Sequence, residues 1–142
     1  MTRIDFHSNI ADKVGYVCRL VRKARAADAR IVILAEAPQV TALDAALWNF
    51  SELDFIPHVR ADDALAVHTP VLLGTGGMNV QTLPHHQILI NLTDQTPPEF
   101  ARFERLFEIV SVAPGDIASG RERYRFYQQR GYPLTHCVAD KT

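Results

Sequence analysis

The chain has 142 residues, a net charge of −1, 47% hydrophobic and 22% charged side chains, and two cysteines. That balance is globular, and it excludes disorder over most of the length, collagen-like and coiled-coil assemblies, and a disulfide scaffold. No apolar run approaches the ~18 residues of a spanning helix and no signal-peptide core opens the sequence, so a cytoplasmic address is expected, with no membrane partner and no general attraction to nucleic acid.

Arg3-Ile4-Asp5-Phe6-His7 alternates apolar and polar residues and reads as a short strand, with Ser8 or Asn9 placed to cap a helix. Ile10, Val14, Val17, Cys18, Val21 and Ala24 then recur at three- and four-residue spacing, one helical face to about Ala27. Ile31 to Ala35 is a continuous apolar run of the kind buried on both faces of a parallel sheet. Pro38 suits the first turn of a second helix, with Val40, Leu43, Ala46, Leu47 and Phe50 on its inner side. Residues 51–86 are broken by proline and glycine into short extended pieces and loops, with a strand at 71–73. Gln87 to Leu92 is another buried-strand run. Pro97-Pro98-Glu99 opens a helical spacing of Phe100, Phe103, Leu106 and Phe107, and Ile109 to Val112 reads as a strand. A last helix is expected from Asp116 to Gln129, ended by Gly131 at C′, and Thr135 to Thr142 as a short extended tail. Strands alternating with helices predict one α/β domain over residues 1–142. The expected architecture is three α/β/α layers around a largely parallel sheet, Rossmann-like, with mixed strand directions left open.

Such a sheet invites a search for phosphate loops. Gly74-Thr75-Gly76-Gly77 follows a strand, but no Gly-Lys-Ser/Thr comes after it and no helical pattern follows. The first strand-to-helix turn, His7-Ser8-Asn9, holds no glycine, where a dinucleotide site needs several. A plain turn is the better reading, and no cofactor is expected. His85 and His86 are adjacent and diverge, and no HExxH or clustered Cys/His spacing occurs, so no metal is expected. Cys18 lies on the apolar face of the first helix and reads as a small core hydrophobe. There is no GxSxG elbow, and no catalytic residue is assigned. Trp48, at the end of the second helix, reads first as helix-end packing and second as a protein contact.

The last helix carries the charge asymmetry. From Ser119 to Gly131, Arg121, Arg123, Arg125 and Arg130 stand against Glu122, a window of +3 in a chain of −1. Arg121, Tyr124, Arg125 and Gln128 are spaced to share one face, while Ile117, Phe126 and Tyr127 supply contacts to the body. A solvated basic face is the bland reading. The functional one is an anion-plus-apolar pocket: two guanidiniums grip carboxylates while the tyrosine ring walls an apolar slot, an arrangement suited to a short acidic peptide with a free C-terminus.

The segments LDAALW (43–48), FIPH (55–58), ILINL (88–92) and RERYRFYQQRGYPL (121–134) occur in that order along nearly the whole chain. Together they resemble the chi subunit family of bacterial DNA polymerase III, clamp-loader accessory proteins. The resemblance implies a non-enzymatic α/β protein with no activity of its own. It implies two partners: the small psi subunit of the clamp loader, and single-stranded-DNA-binding protein (SSB), whose acidic C-terminal tail ends in proline and phenylalanine. DNA would be met only through SSB. The family's basic and aromatic tail-binding positions match Arg121, Tyr124 and Arg125. The apolar side of that pocket matches Phe55, in FIPH, and Ala113, before the last helix. A small nucleotide-binding or hydrolytic α/β enzyme is the alternative, and the two separate on whether the chain binds an acidic peptide or a nucleotide.

Overall fold

The computed structural model describes residues 1–49 and 56–139. Seven strands form one sheet: β1 (Arg3–Ile10), β2 (Ile31–Ala35), β3 (His58–Arg60), β4 (Val71–Thr75), β5 (Ile88–Asn91), β6 (Arg105–Ser111) and β7 (Leu134–Val138). Their order is β3-β4-β2-β5-β6-β1-β7, and every pairing is parallel, so no strand makes the sheet mixed. Helices α1 (Lys13–Ala26) and α2 (Ala37–Asn49) carry the chain from β1 towards the β3 edge over one face. Helix α3 (Pro114–Gln129) carries it from β6 to the β7 edge over the other. Opposite directions on opposite faces are what the right-handed crossover rule requires.

Alternation within the strands builds the two cores. Ile31, Ile33 and Ala35 join Val17, Val21, Val40 and Leu43 under α1 and α2. Val32 and Leu34 join Ile4, Phe6, Leu106 and Tyr127 under α3. β2, in the middle of the sheet, is therefore apolar at every position, as a doubly covered parallel strand demands.

Several boundaries differ from the sequence expectation. Ser8 and Asn9 do not cap α1. They belong to β1, where the register with β6 shifts between His7 and Ile10 and Asn9 takes a left-handed φ of 63°. Asp12 is the cap, its carboxylate accepting from the Gly15 N–H at 3.2 Å. The helix expected after Pro98 shrinks to a 3-10 turn over Phe100–Arg102. Leu106 and Phe107 sit in β6 instead, on opposite faces of the sheet, because a short apolar run satisfies either period and burial on both faces decides for the strand. The extended tail is a full strand, β7, in register with β1 from Ile4–Leu134 to Ser8–Val138. Gly74 to Gly77 is the end of β4 and a turn, followed by a 3-10 turn rather than an α-helix.

Cys18 is buried, and burial pushes its thiol up to about 11, so it remains a neutral core side chain. Trp48 is 53% exposed, and its ring packs on His58 with centroids 4.6 Å apart, at the end of α2. Phe50 lies outside the described residues.

Candidate functional site

Helix α3 is held at both ends. Pro114 stands in its first turn with Asp116, whose carboxylate accepts from the Ser111 N–H at 2.7 Å. At the other end Gly131 adopts a φ of +78°, open to glycine at little cost. The Gly131 N–H donates to the Gln128 carbonyl at 3.1 Å and the Tyr132 N–H to the Tyr127 carbonyl at 3.2 Å, a complete Schellman closure. Gly120, Arg123 and Tyr127 form the buried stripe. A Cβ on Gly120 would come within 2.9 Å of a Val110 methyl, so glycine here lets α3 approach β6 closely.

Arg123 is not part of the exposed basic face. It is 4% exposed, and its Nε donates to Glu108 Oε2 at 3.2 Å, beneath the helix. Glu108 also accepts from the Tyr127 hydroxyl at 2.6 Å and from Asn91 Nδ2 at 2.8 Å, while Arg123 Nη1 reaches Ser119 Oγ at 2.9 Å. Burial pushes the Glu108 carboxyl above the ordinary glutamate range, against the attraction of Arg123. Arg130 lies over the Phe126 ring at 3.8 Å. The +3 window therefore overstates the free charge, because the Arg123 charge is paired with Glu108; Arg121 and Arg125 are the arginines left exposed on the face they share.

Those two arginines and Tyr124 converge. They line a groove of about 640 Å³ between α3 and the strands β1, β6 and β7. Its floor is apolar: Phe6 and Val110 are buried, and the half-buried Tyr124 ring meets Phe6 edge-on with centroids 5.1 Å apart. Val112 and Val138 are exposed at its rim, as are Arg121 and Arg125. No carboxylate is among its lining residues. The bulge in β1 turns Ser8 and Asn9 towards the same space; Ser8 Oγ and His136 Nε2 lie 2.7 Å apart, and Asn9 Nδ2 donates to the Ala139 carbonyl at 3.0 Å. An apolar slot with two cationic rims can hold an acidic segment and one buried hydrophobic side chain.

Gln128 is exposed on α3 but does not line the groove, and neither does Ala113, exposed where α3 begins; its neighbour Val112 does. Phe55 lies outside the described residues. The residues after it enter β3, at the sheet edge opposite the groove. Phe6, His136 and Val138 are contributors that the helix sequence alone does not announce. The last two lie on β7, whose Leu-Thr-His-Cys-Val has no apolar alternation; only its place after α3 in a β-α-β unit points to a strand.

The crevice that open α/β sheets use for ligands lies where adjacent strands send their chains to opposite faces, here beyond β1 and β6. Lys13 lines it, 2.7 Å from Asp116 and donating to the Leu92 carbonyl at 2.9 Å. Among the described residues no group of three His, Cys, Asp or Glu is placed to hold a metal. Burial raises the Asp116 carboxyl, but the Lys13 and Ser111 bonds outweigh it and hold the group below its ordinary value. A depressed carboxyl stabilises the fold above its unfolded value, near pH 4, and that contribution disappears as pH falls through the folded value. Asp116→Asn is therefore expected to lower the melting temperature at neutral pH, with the gap from wild type narrowing as pH falls below the ordinary aspartate range. A gap independent of pH contradicts this assignment.

The model of the family described as DNA polymerase III chi subunit, HolC, matches residues 1–135. The chain belongs to that family. A DNA polymerase III subunit chi from Pseudomonas aeruginosa is 34% identical over 139 residues, covering 94% of each chain. One from Haemophilus influenzae is 24% identical over 119 residues, covering 83% of this chain and 81% of the relative. The family match extends over β1 to β6, α3 and the Schellman turn, and it takes in every groove-lining residue except His136 and Val138. No helix among the described residues is long and apolar enough to cross a membrane.

Proposed function

We propose that this chi-family chain is a non-catalytic accessory subunit of the bacterial replication polymerase, acting in the cytoplasm as one unit over residues 1–142. In this reading it links the clamp loader, through psi, to SSB by binding SSB's acidic C-terminal tail. The observation that supports it is the α3 groove, with Arg121 and Arg125 at the rim of an apolar floor and no lining carboxylate. The terminal phenylalanine fills the slot beside Tyr124 and Phe6, and the arginines take the terminal and side-chain carboxylates. Phe55 and Ala113 enter only through the family resemblance. Tail affinity of Phe55→Ala tests the first: a loss without a change in melting temperature assigns it to the tail, and a lower melting temperature with normal binding assigns it to packing.

The adaptor reading predicts that the chain ignores naked single-stranded DNA and joins the same DNA once SSB coats it, because the free basic patch is small and lacks a row of stacking aromatics. Fluorescence anisotropy on a labelled oligonucleotide measures this. Association with SSB-coated DNA that is lost when SSB lacks its tail supports the reading; tight binding to the bare oligonucleotide with a steep salt slope overturns it.

Salt also divides the two parts of the grip. Exposed charges are screened within about 8–10 Å at physiological ionic strength, whereas burial of an apolar ring is not. Tail affinity should fall as salt rises and then level off at a residual value. A salt-independent affinity contradicts the role given to the arginines.

A further inference from the structure

β7 is unlike the other strands. Strands of parallel sheets are covered on both faces, and β2 is buried at every position. β7 has four exposed residues out of five and, among the described residues, pairs only with β1. A groove runs along each of its faces. The α3 groove touches His136 and Val138, and a cavity of about 1150 Å³ on the α1 side touches Thr135 and Cys137.

The register identifies which backbone groups are free. The Ile4 N–H donates to the Pro133 carbonyl at 3.0 Å, and the Ala139 N–H donates to the Ser8 carbonyl at 2.9 Å. Along a strand, the N–H and C=O of one residue point the same way and alternate sides from residue to residue. Pro133, Thr135, Cys137 and Ala139 therefore turn their backbone groups to β1. Leu134, His136 and Val138 turn theirs outward, where no described strand lies. Free edges are usually blocked by lysine, proline, a bulge or a charge. Leu-Thr-His-Cys-Val has none of these, and its register with β1 is unbroken.

Charge selects the occupant. Arg121 and Arg125 line one groove with no acidic side chain among its lining residues, and Arg3, Lys23, Arg102 and Arg105 stand against Asp5 and Glu104 in the other cavity. A second copy of the chain would set two such basic flanks against each other across the edge, whereas an acidic segment is attracted by both. We infer that the β7 edge receives an acidic, extended peptide as an additional strand, its main chain pairing with His136 and Val138 while its C-terminal residue occupies the α3 groove. The inference rests on the proposed use of that groove and adds main-chain recognition to it. Residues upstream of the terminus are then selected for extended conformation and negative charge rather than for particular side chains.

Amide hydrogen exchange on the full chain, with and without saturating SSB tail peptide, tests it. The His136 and Val138 amides should gain about tenfold protection or more on binding, while Thr135 and Cys137, already bonded to β1, change little. A companion comparison uses Val138→Pro, which removes an outward N–H that edge strands can lose without harm to their ladder. It should bind the peptide about three- to tenfold more weakly than Val138→Ala, which removes the side chain alone. Peptide binding that depends on Arg121 but leaves both amides unprotected overturns the edge inference and leaves the groove reading intact. Absence of any peptide binding overturns both. Protection that appears without peptide, as protein concentration rises, assigns the edge to a second copy and overturns the inference as well.

Discussion

Arg123→Ala is expected to cost about 3–5 kcal/mol of folding stability, the penalty for removing one partner of a buried ion pair. The arginine is 4% and Glu108 0% exposed, so no water replaces the lost guanidinium. Glu108 keeps Asn91 and Tyr127 as donors, which is too little to solvate a buried carboxylate. At about 2–4 °C per kcal/mol for a domain of this size, the melting temperature should fall by roughly 6–20 °C. The loss carries a pH signature. A carboxyl whose folded value is raised favours the fold while protonated, and that advantage disappears as pH rises through the folded value. With the guanidinium gone, Glu108 is raised further, so the deficit should be larger near pH 7 than near pH 5. Thermal denaturation across that interval checks both statements; a variant as stable as wild type would mean that the pair does not hold α3.

Arg121→Ala and Arg125→Ala should behave in the opposite way. Both side chains are exposed on the rim of the groove, and such surface substitutions usually change stability by about 0.5 kcal/mol or less. In the proposed tail complex each would supply a charge-assisted hydrogen bond to a carboxylate, worth roughly 1.5–3 kcal/mol, so each loss should weaken tail binding about ten- to hundredfold. Tyr124→Ala should weaken it as well, through lost contact along the slot. Two arginines one helical turn apart are thus expected to govern affinity, and Arg123, between them in sequence, to govern stability. Binding measurements on the three arginine variants, each paired with a melting curve, read the division directly. Equal affinity losses at all three positions contradict it.

That division was only half visible in the sequence. Periodicity groups Arg121, Tyr124, Arg125 and Gln128 on one face and separates Arg123 from Arg121 and Arg125 by about 100° or more each. It does not reveal that Glu108 waits beneath the helix, because β6 is fifteen residues away and the pairing is made by tertiary packing. The central strands were legible because doubly buried strands need an unbroken apolar run, as Ile31 to Ala35 shows. The start of β6 was not, because Phe103, Leu106 and Phe107 fit a helical spacing equally well until the sheet claims two of them. β7 reads from sequence only as an extended tail for the related reason that its residues are exposed and lack the buried-strand pattern. Its Val138 and His136 complete the groove, so the missed strand and the missing groove wall are one omission. The β1 bulge likewise depends on Asn9 adopting a left-handed φ, which asparagine tolerates but does not announce.

In the proposed function the α3 groove grips an acidic peptide by its charged terminus and one apolar side chain. Calorimetric titration of the purified chain with a peptide copying the SSB tail, beside the same peptide lacking its terminal phenylalanine, tests it most directly. Saturable one-to-one binding of the intact peptide, lost on truncation and weakened about ten- to hundredfold by Arg121→Ala or Arg125→Ala, is the predicted result. Equal binding of the two peptides, or undiminished binding by both arginine variants, would contradict it.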